Sequence, residues 1–206
     1  MSLSIRTNIA SLNAQRNLSS TQSTLDSSMS RLSSGYRITK AGDDAAGLGI
    51  STKLESQIRS YSQASRNAND GLSVIQSTES ALNESANILT RLRELAMQSA
   101  SDGIGNTERG YVQQEASSLV NELERIAQVT EYNGTKLLTG GTTLDFQVGI
   151  ANSTNDKISF TSVNATTATG TGLGVTGLSL ASKASAQGAL QTIDDALAAV
   201  SNARST

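Results

Sequence analysis

Apolar side chains recur at strict seven-residue spacing along the middle of the chain, and this repeat constrains the fold more than any other feature. The first row comprises Leu54, Tyr61, Ala68, Ile75, Leu82, Leu89 and Ala96. A second row, one residue earlier, comprises Val74, Ala81, Ile88 and Leu95. A heptad repeat of this length keeps one helix face toward a partner helix and favours a left-handed supercoil. The pattern therefore predicts a long helix that other helices must cover.

Gly71 lies inside this repeat and could indicate a break, because glycine in a helix interior costs about 1 kcal/mol relative to alanine. The phase of the heptad repeat argues against a break. The count from Ala68 to Ile75 crosses Gly71 without a shift, whereas a turn would have changed the register. We therefore predict one helix from about Asp44 to about Ala100, roughly 80 Å long at ~1.5 Å per residue.

The composition argues against a compact enzyme. Of the 206 residues, 36% are hydrophobic and 3% aromatic, too few for a large globular core. Proline is absent, which suits long helices. Cysteine and histidine are absent as well, which excludes disulfides and removes the commonest general base and metal ligand. We therefore predict no catalytic, cofactor-binding or metal-binding residues.

Charge and hydropathy argue against two further classes of partner. The net charge is -2 with no basic block, so the footprint of a protein that binds nucleic acid or an anionic membrane is missing. No apolar run approaches the ~18 residues of a membrane span. Residues 1–10 have neither the charged nor the apolar region of a cleaved secretory signal, so export would need another route.

The N-terminal segment is predicted to be a weak helix. Ile5, Ile9 and Leu12 form one short apolar stripe, and a second stripe follows, comprising Leu18, Leu25, Met29 and Leu32. Most other residues are Ser, Thr, Asn or Gln, whose side chains compete for backbone hydrogen bonds. We expect this segment to be disordered in a free monomer and to fold when partners cover the second stripe.

A glycine-rich loop is predicted after Ser33-Ser34-Gly35 and continues through residues 41–49. Within it, Asp43 or Asp44 can cap the long helix. A phosphate-binding loop would need a lysine and a hydroxyl at the right spacing, and a metal site would need a further ligand nearby. The sequence supplies neither, so we favour a cap and a hinge.

Further elements are predicted after the long helix. Following residues 102–105, apolar residues at spacings of four and three indicate a second, antiparallel helix with Val112, Ala116, Leu119, Leu123 and Ile126. Asn133-Gly134 is typical of a tight turn. Alternation then predicts a half-buried strand carrying Leu144, Phe146, Val148 and Ile150, whose hairpin mate carries Ile158 and Phe160.

The C-terminal part is predicted to contain a loose surface connection over residues 164–177, where Thr, Ala, Gly and Asn predominate. A last helix then buries Ala186, Leu190, Ile193, Leu197 and Val200. It reaches Thr206 in mid-pattern, and we expect the natural chain to continue. The predicted fold class is mainly α: a long antiparallel helical coiled-coil rod with a small β-hairpin region.

Several motifs, in the same order along the chain, resemble those of bacterial flagellin. They are Ser11-Leu12-Asn13-Ala14-Gln15-Arg16, Leu32-Ser33-Ser34-Gly35, Ala41-Gly42-Asp43-Asp44-Ala45-Ala46-Gly47-Leu48, Arg93-Glu94-Leu95-Ala96 and Tyr132-Asn133-Gly134-Thr135-Lys136-Leu137-Leu138. The resemblance implies a secreted structural protein of the extracellular bacterial flagellum that self-assembles into a filament for motility. It further implies an inner coiled-coil segment over residues 1–43, an outer core helical domain over 44–180, and the start of a C-terminal core helix over 181–206.

The resemblance also implies partners: other flagellin subunits, the flagellar export apparatus and the filament cap. In the family, an export chaperone binds a C-terminal segment that this sequence lacks. The residue patterns agree with the assembly mechanism, because apolar stripes on long helices are stabilised when neighbouring subunits cover them.

Residues 90–98 match the stretch by which many flagellins are bound by a vertebrate Toll-like receptor. Carried over residue by residue, the contact positions are Arg91, Leu95 and Glu115. In that role Arg91 donates a forked hydrogen bond, Leu95 fills an apolar pocket and Glu115 pairs with a receptor cation. The alternative is that Arg91 and Glu115 form a solvated face and that Leu95 belongs to the core.

Three other functions compete with that of a filament subunit. Some flagellins carry a zinc peptidase with two helical histidines, and the absence of histidine excludes that activity here. A hook-filament junction protein shares the terminal helices, and a surface adhesin is compatible with a filament role. The dense match through Asn133-Gly134 favours the filament subunit.

Overall fold

Helices dominate the fold, with two short antiparallel strand pairs between the third and fourth helix. The computed structural model describes residues 8–168, 170 and 172–205. Its elements are α1 (Ile9–Ser34), α2 (Ala45–Ala100), α3 (Asn106–Val129), β1 (Glu131–Tyr132), β2 (Thr135–Lys136), β3 (Thr143–Gln147), β4 (Lys157–Thr161) and α4 (Lys183–Ser205). The predicted mainly α class with a β-hairpin region is confirmed. Ile5 of the first apolar stripe lies outside the described residues, as do Thr169 and Thr171 of the predicted connection.

The chain forms two compact units, residues 1–59 and 60–206, and α2 contributes residues to both. The boundary at residue 43, predicted from the resemblance, separates the inner and outer parts of a filament subunit and does not refer to compact units. It stays a prediction.

In the first unit, capping residues mark where the helices begin and end. The Asn8 side chain accepts a hydrogen bond from the Ser11 N–H at 3.2 Å at the start of α1, and Gly35 ends α1 in the left-handed conformation with φ of 72°. Asp44 Oδ1 accepts from the Gly47 N–H at 2.8 Å and caps α2. Of the two candidate caps, Asp44 is therefore the one used. Because the cap stands at Asp44, residues 45–49 are helical, and the predicted extent of the loop was wrong there.

In the second unit, α2 continues through Gly71 without a break, which confirms the argument from the phase of the repeat. The first of the two heptad rows is not covered along its whole length. The first row is buried from Leu82 onward, whereas Leu54, Tyr61 and Ile75 are exposed. The buried part is the part that partner helices cover. The last turn of α4 lies beside Glu79 of α2, because Arg204 Nη2 is 3.6 Å from the Glu79 carboxylate.

Helices α3 and α4 both run antiparallel to α2. Glu115 of α3 pairs with Arg91, and Arg109, earlier in α3, bonds the Ser99 carbonyl near the end of α2. For α4, ion pairs join Lys183 to Asp102, Asp194 to Arg93 and Arg204 to Glu79, in opposite order along the two helices. The predicted antiparallel packing of α3 is confirmed, and its predicted stripe is buried except for the half-buried Leu119.

The buried face of α4 differs from the prediction. Its fully covered residues are Ala186, Ala189, Ile193, Ala196 and Val200. Leu190 and Leu197 are half-buried and pack against the same core, so the predicted stripe is only partly covered at these two positions. Alanines at the centre of the stripe let two helices approach closely, and the larger leucines then fit at the edges.

The hairpins follow their turn and alternation signals. Asn133 and Gly134 both have positive φ, 48° and 76°, which suits the tight two-residue turn between β1 and β2. Strand β3 pairs with β4 in the predicted manner, with Leu144 opposite Phe160 and Phe146 opposite Ile158. The strand ends at Gln147, so the predicted strand positions Val148 and Ile150 lie beyond it.

The predicted loose surface connection over residues 164–177 was wrong in its described part. Leu173 and Val175 are buried in the core of the second unit, and Thr167 is buried beside them. The Thr167 N–H and hydroxyl both donate to Glu124 Oε2, at 2.8 and 2.9 Å. The segment lacks helix or strand periodicity. It is nevertheless held in place by the buried side chains of Leu173 and Val175 and by the hydrogen bonds from Thr167 to Glu124 of α3.

Candidate subunit interface and receptor-contact surface

Helix α1 presents an apolar stripe that no other described part of the chain covers. Leu18, Leu25, Met29 and Leu32, the predicted assembly stripe, are between 58 and 83% exposed. None of the residues of α1, all of which the structure describes, is buried. The heptad spacing aligns these four side chains along one face, which suits packing against another helix. Whether the helix orders only on assembly stays a prediction.

The segment after α1 is held by a network around Asp43. Its Oδ2 accepts hydrogen bonds from the N–H groups of Thr39 and Lys40 and from the Thr39 hydroxyl, and Arg31 lies 3.7 Å from Oδ1. Bonds from the Thr39 N–H and hydroxyl, then from the Lys40 N–H, lower the pKa of the Asp43 carboxyl. The network fixes the turn that follows the stripe. The two neighbouring aspartates thus have different roles: Asp43 holds the turn, and Asp44 caps α2.

Arg91 and Glu115, two of the three predicted receptor contacts, form an ion pair between α2 and α3. Arg91 Nε and Nη2 both donate to Glu115 Oε1, at 3.0 and 2.8 Å. The Arg91 and Glu115 side chains are 50% and 46% exposed. The hydrogen bonds that Arg91 donates to Glu115, and secondly to Glu94, raise the pKa of Arg91. The pair forms a polar surface that stays accessible to solvent.

Leu95, the third predicted contact, differs from the other two in its burial. It is 2% exposed and belongs to the hydrophobic core of the second unit. The structure therefore pairs Arg91 with Glu115 at the surface and buries Leu95, one helical turn after Arg91, in the core. Sequence reasoning missed Glu94, whose Oε2 accepts from Arg91 Nη1 at 2.9 Å. The spacing of three residues on one helix is the signal that could have found it.

Among the described residues there is no group of three or more His, Cys, Asp or Glu side chains that could hold a metal ion. No helix in the described part of the chain is long and apolar enough to cross a membrane.

The sequence is similar to a known protein family and to several of its members. A family described as the bacterial flagellin N-terminal helical region matches residues 5–143. The B-type flagellin of Pseudomonas aeruginosa is 50% identical over 151 residues, which cover 72% of this chain and 31% of the relative. Flagellin B of Vibrio cholerae is 47% identical over 150 residues, 72% of this chain and 40% of the relative. The chain thus spans about a third to two-fifths of the length of these relatives.

Solved structures give the same fold. The crystal structure of Bacillus cereus flagellin aligns with a TM-score of 0.59 at 26% identity, covering 68% of this chain and 79% of that one. The structure of FliC from Burkholderia pseudomallei aligns with a TM-score of 0.54 over 66% of this chain and 96% of that one. Its 18% identity supports the likeness of fold alone.

The helical fold and the exposed helix stripe define a protein that presents a helix face for packing. Since the family match covers most of its residues, the chain belongs to the bacterial flagellin family.

Proposed function

We propose that this chain is a structural subunit of the bacterial flagellar filament and that it assembles through the stripe of α1. Membership of the flagellin family supports the role. The observation that carries the mechanism is the exposure of Leu18, Leu25, Met29 and Leu32 along one face of a helix with no buried residue. Full burial of a Leu or Met side chain stabilises by about 1.5–3 kcal/mol, so neighbouring subunits gain by covering the stripe.

Electron microscopy of the purified chain at raised concentration tests this proposal. The experiment is run with and without a separately supplied C-terminal flagellin segment. We expect filaments from the unmodified chain, and none from Leu25→Asp, because a carboxylate would have to be buried. Thr24→Asp is the matched control, since Thr24 is exposed and lies about a quarter turn from the stripe. Failure of the unmodified chain to form or join filaments would refute the proposal, and short capped assemblies would favour a hook-filament junction protein.

Location and partners follow from the same proposal. We infer that the chain is extracellular, passes through the flagellar export apparatus without a cleaved signal peptide, and is folded into place beneath the filament cap. The export chaperone of the family would need a C-terminal segment in addition to these residues. Mass spectrometry of the secreted protein tests the route, because an N-terminus that begins at residue 1 or 2 is expected and a shortened one contradicts it.

We further propose that the Arg91–Glu115 pair contributes to recognition by a vertebrate Toll-like receptor. Half-exposed side chains and a fixed guanidinium support this role, because a planar fork held in place is suited to bidentate hydrogen bonds. Leu95 is buried and is not included in the proposed contact surface. A surface adhesin would use other, unspecified groups, and nothing in the described residues favours one.

A reporter assay for receptor signalling tests this second role. Arg91→Ala should reduce the signal, because the substitution removes the guanidinium while leaving α2 intact. Arg125→Ala is the control, since Arg125 is likewise an exposed arginine that bonds a glutamate on its own helix. Equal signalling from Arg91→Ala and the unmodified chain would refute the role.

A further inference from the structure

Met29 places a thioether in the apolar stripe of α1, whose other members are leucines. It lies four residues after Leu25 and three before Leu32, in the middle of the C-terminal half of the stripe. Its side chain is 61% exposed, so oxidants in solution reach the sulfur of the free chain. Met97, on α2, is 54% exposed and lies outside the stripe. The same oxidation can therefore be compared at one position inside the stripe and at one outside it.

Oxidation of a methionine sulfur changes its polarity in one step. Hydrogen peroxide transfers one oxygen atom to the thioether: the sulfur loses two electrons, the O–O bond breaks and water is released. The product, methionine sulfoxide, is a polar, chiral side chain in place of a flexible apolar one. Its oxygen is a hydrogen-bond acceptor, which needs a donor or water to bond with.

Oxidation of Met29 should act on assembly rather than on folding. None of the residues of α1, which the structure describes in full, is buried, so water hydrates a sulfoxide at Met29 in the free chain. A subunit that covers the stripe removes this water. The flanking side chains of Leu25 and Leu32 have no donor to offer in exchange. Burial of the sulfoxide is therefore unfavourable, whereas burial of the thioether is favourable.

We propose that Met29 is a site of reversible oxidation, at which the sulfoxide blocks assembly and assembly protects the sulfur. The inference rests on the proposed filament role, because another subunit has to cover the stripe. A methionine sulfoxide reductase supplied with a dithiol reverses the reaction: the oxygen leaves as water and the dithiol becomes a disulfide. It follows that an oxidised chain stays unassembled until it is reduced, whereas a chain within a filament keeps its thioether.

Peroxide treatment of three proteins before assembly tests the proposal. The unmodified chain is compared with Met29→Leu, which places a fourth leucine in the stripe, and with Met97→Leu, the matched control outside it. Met1 is the third methionine and is present in all three proteins. Catalase removes the peroxide, and the C-terminal flagellin segment is then supplied. Peptide mass spectrometry measures the sulfoxide at each methionine, and circular dichroism measures the helix content.

We expect all three untreated proteins to form filaments and, after peroxide, only Met29→Leu to do so readily. For the unmodified chain and Met97→Leu, the concentration needed for assembly should rise about tenfold or more, because a polar acceptor is buried without a donor. The reductase with dithiothreitol should restore it, and helix content should not change. Equal assembly of the oxidised and untreated unmodified chain would overturn the inference, as would lost assembly of oxidised Met29→Leu. No filaments from the untreated unmodified chain would instead overturn the proposed function.

Protection within the filament is a second, independent measurement. Free chains and preformed filaments of the unmodified protein are given the same peroxide concentration, and the sulfoxide at Met29 is followed over time by mass spectrometry. The rate should fall several-fold in the filament, because the sulfur is covered. Equal rates in the two samples would show that Met29 stays in solvent after assembly and would contradict the proposal even though filaments form.

Discussion

The ring of Phe146 packs directly on the backbone of Gly71, so that a methyl group added at Gly71 would lie 3.2 Å from two ring carbons. The same contact brings Asn67 Nδ2 within 2.8 Å of the Gln147 carbonyl, to which it donates a hydrogen bond. The hairpin of β3 and β4 thus rests on α2 at the one glycine in the middle of that helix. A side chain at this position would therefore press on the Phe146 ring, which would have to shift by a few tenths of an ångström.

A double-mutant cycle between Gly71 and Phe146 should reveal this contact. In a Phe146→Ala background, Gly71→Ala should raise the free energy of unfolding by about 1 kcal/mol, the gain in helix propensity. With the ring present, crowding should offset that gain. Urea unfolding followed by circular dichroism gives the four values. An equal effect of Gly71→Ala in both backgrounds would contradict the interpretation.

Arg109 joins the end of α2 to the start of α3 from a buried position. It is 8% exposed, and its guanidinium donates to the Ser99 carbonyl at 2.9 Å and the Ser101 carbonyl at 2.8 Å. Arg109→Met should lower the free energy of unfolding by about 2–4 kcal/mol, because it leaves both carbonyls without their charged donor. Urea unfolding measures the loss.

Arg125→Met is the control for that substitution. Arg125 bonds Glu122 on the same helix and is well exposed, so its removal should leave the unfolding midpoint almost unchanged. Similar losses from both substitutions would show that burial of Arg109 is not the cause.

Ala196 marks the close approach of α4 to the core. It is fully buried, whereas Ala198 on the same helix is exposed. Ala196→Leu should lower the free energy of unfolding by about 1–3 kcal/mol through overpacking. Ala198→Leu should have almost no effect, because leucine and alanine have similar helix propensities. The two melting temperatures compare the sites directly, and equal shifts would refute the assignment.

Glu124 should contribute to acid sensitivity. Hydrogen bonds from the Thr167 N–H, then Gln128 and the Thr167 hydroxyl, lower the pKa of Glu124 below its ordinary value of 4.5. A carboxyl whose pKa is lowered by folding stabilises the protein above its unfolded pKa, and this contribution is lost as the pH falls through the folded value. Acidification should also accelerate hydrogen exchange of the Thr167 amide.

Glu124→Gln isolates that contribution, because the amide does not titrate and can still accept one bond from Thr167. Its free energy of unfolding should fall less between neutral and acid pH than that of the unmodified chain. Other carboxyls with lowered pKa, Asp43 and Asp194 among them, remain in both proteins and cancel in the comparison. Parallel pH profiles for the two proteins would contradict the prediction.

Local signals in the sequence were sufficient for much of the fold. The unbroken heptad phase predicted α2 across Gly71, the caps predicted where α1 ends and α2 begins to within a few residues, and Asn133-Gly134 predicted the turn. Each of these features depends on residues within one or two turns of the chain. The same is true of the exposed stripe on α1, whose spacing alone indicated a surface for helix packing.

What only the tertiary structure decided is which of these surfaces the chain itself covers. Ile75 and Leu82 are successive members of one heptad row, yet the first is exposed and the second buried. The periodicity of a helix specifies which side chains share a face, whereas burial depends on how far other segments reach along it. The loop that binds Glu124, the alanine face of α4 and the ring on Gly71 all depend on such distant contacts, which no local pattern encodes.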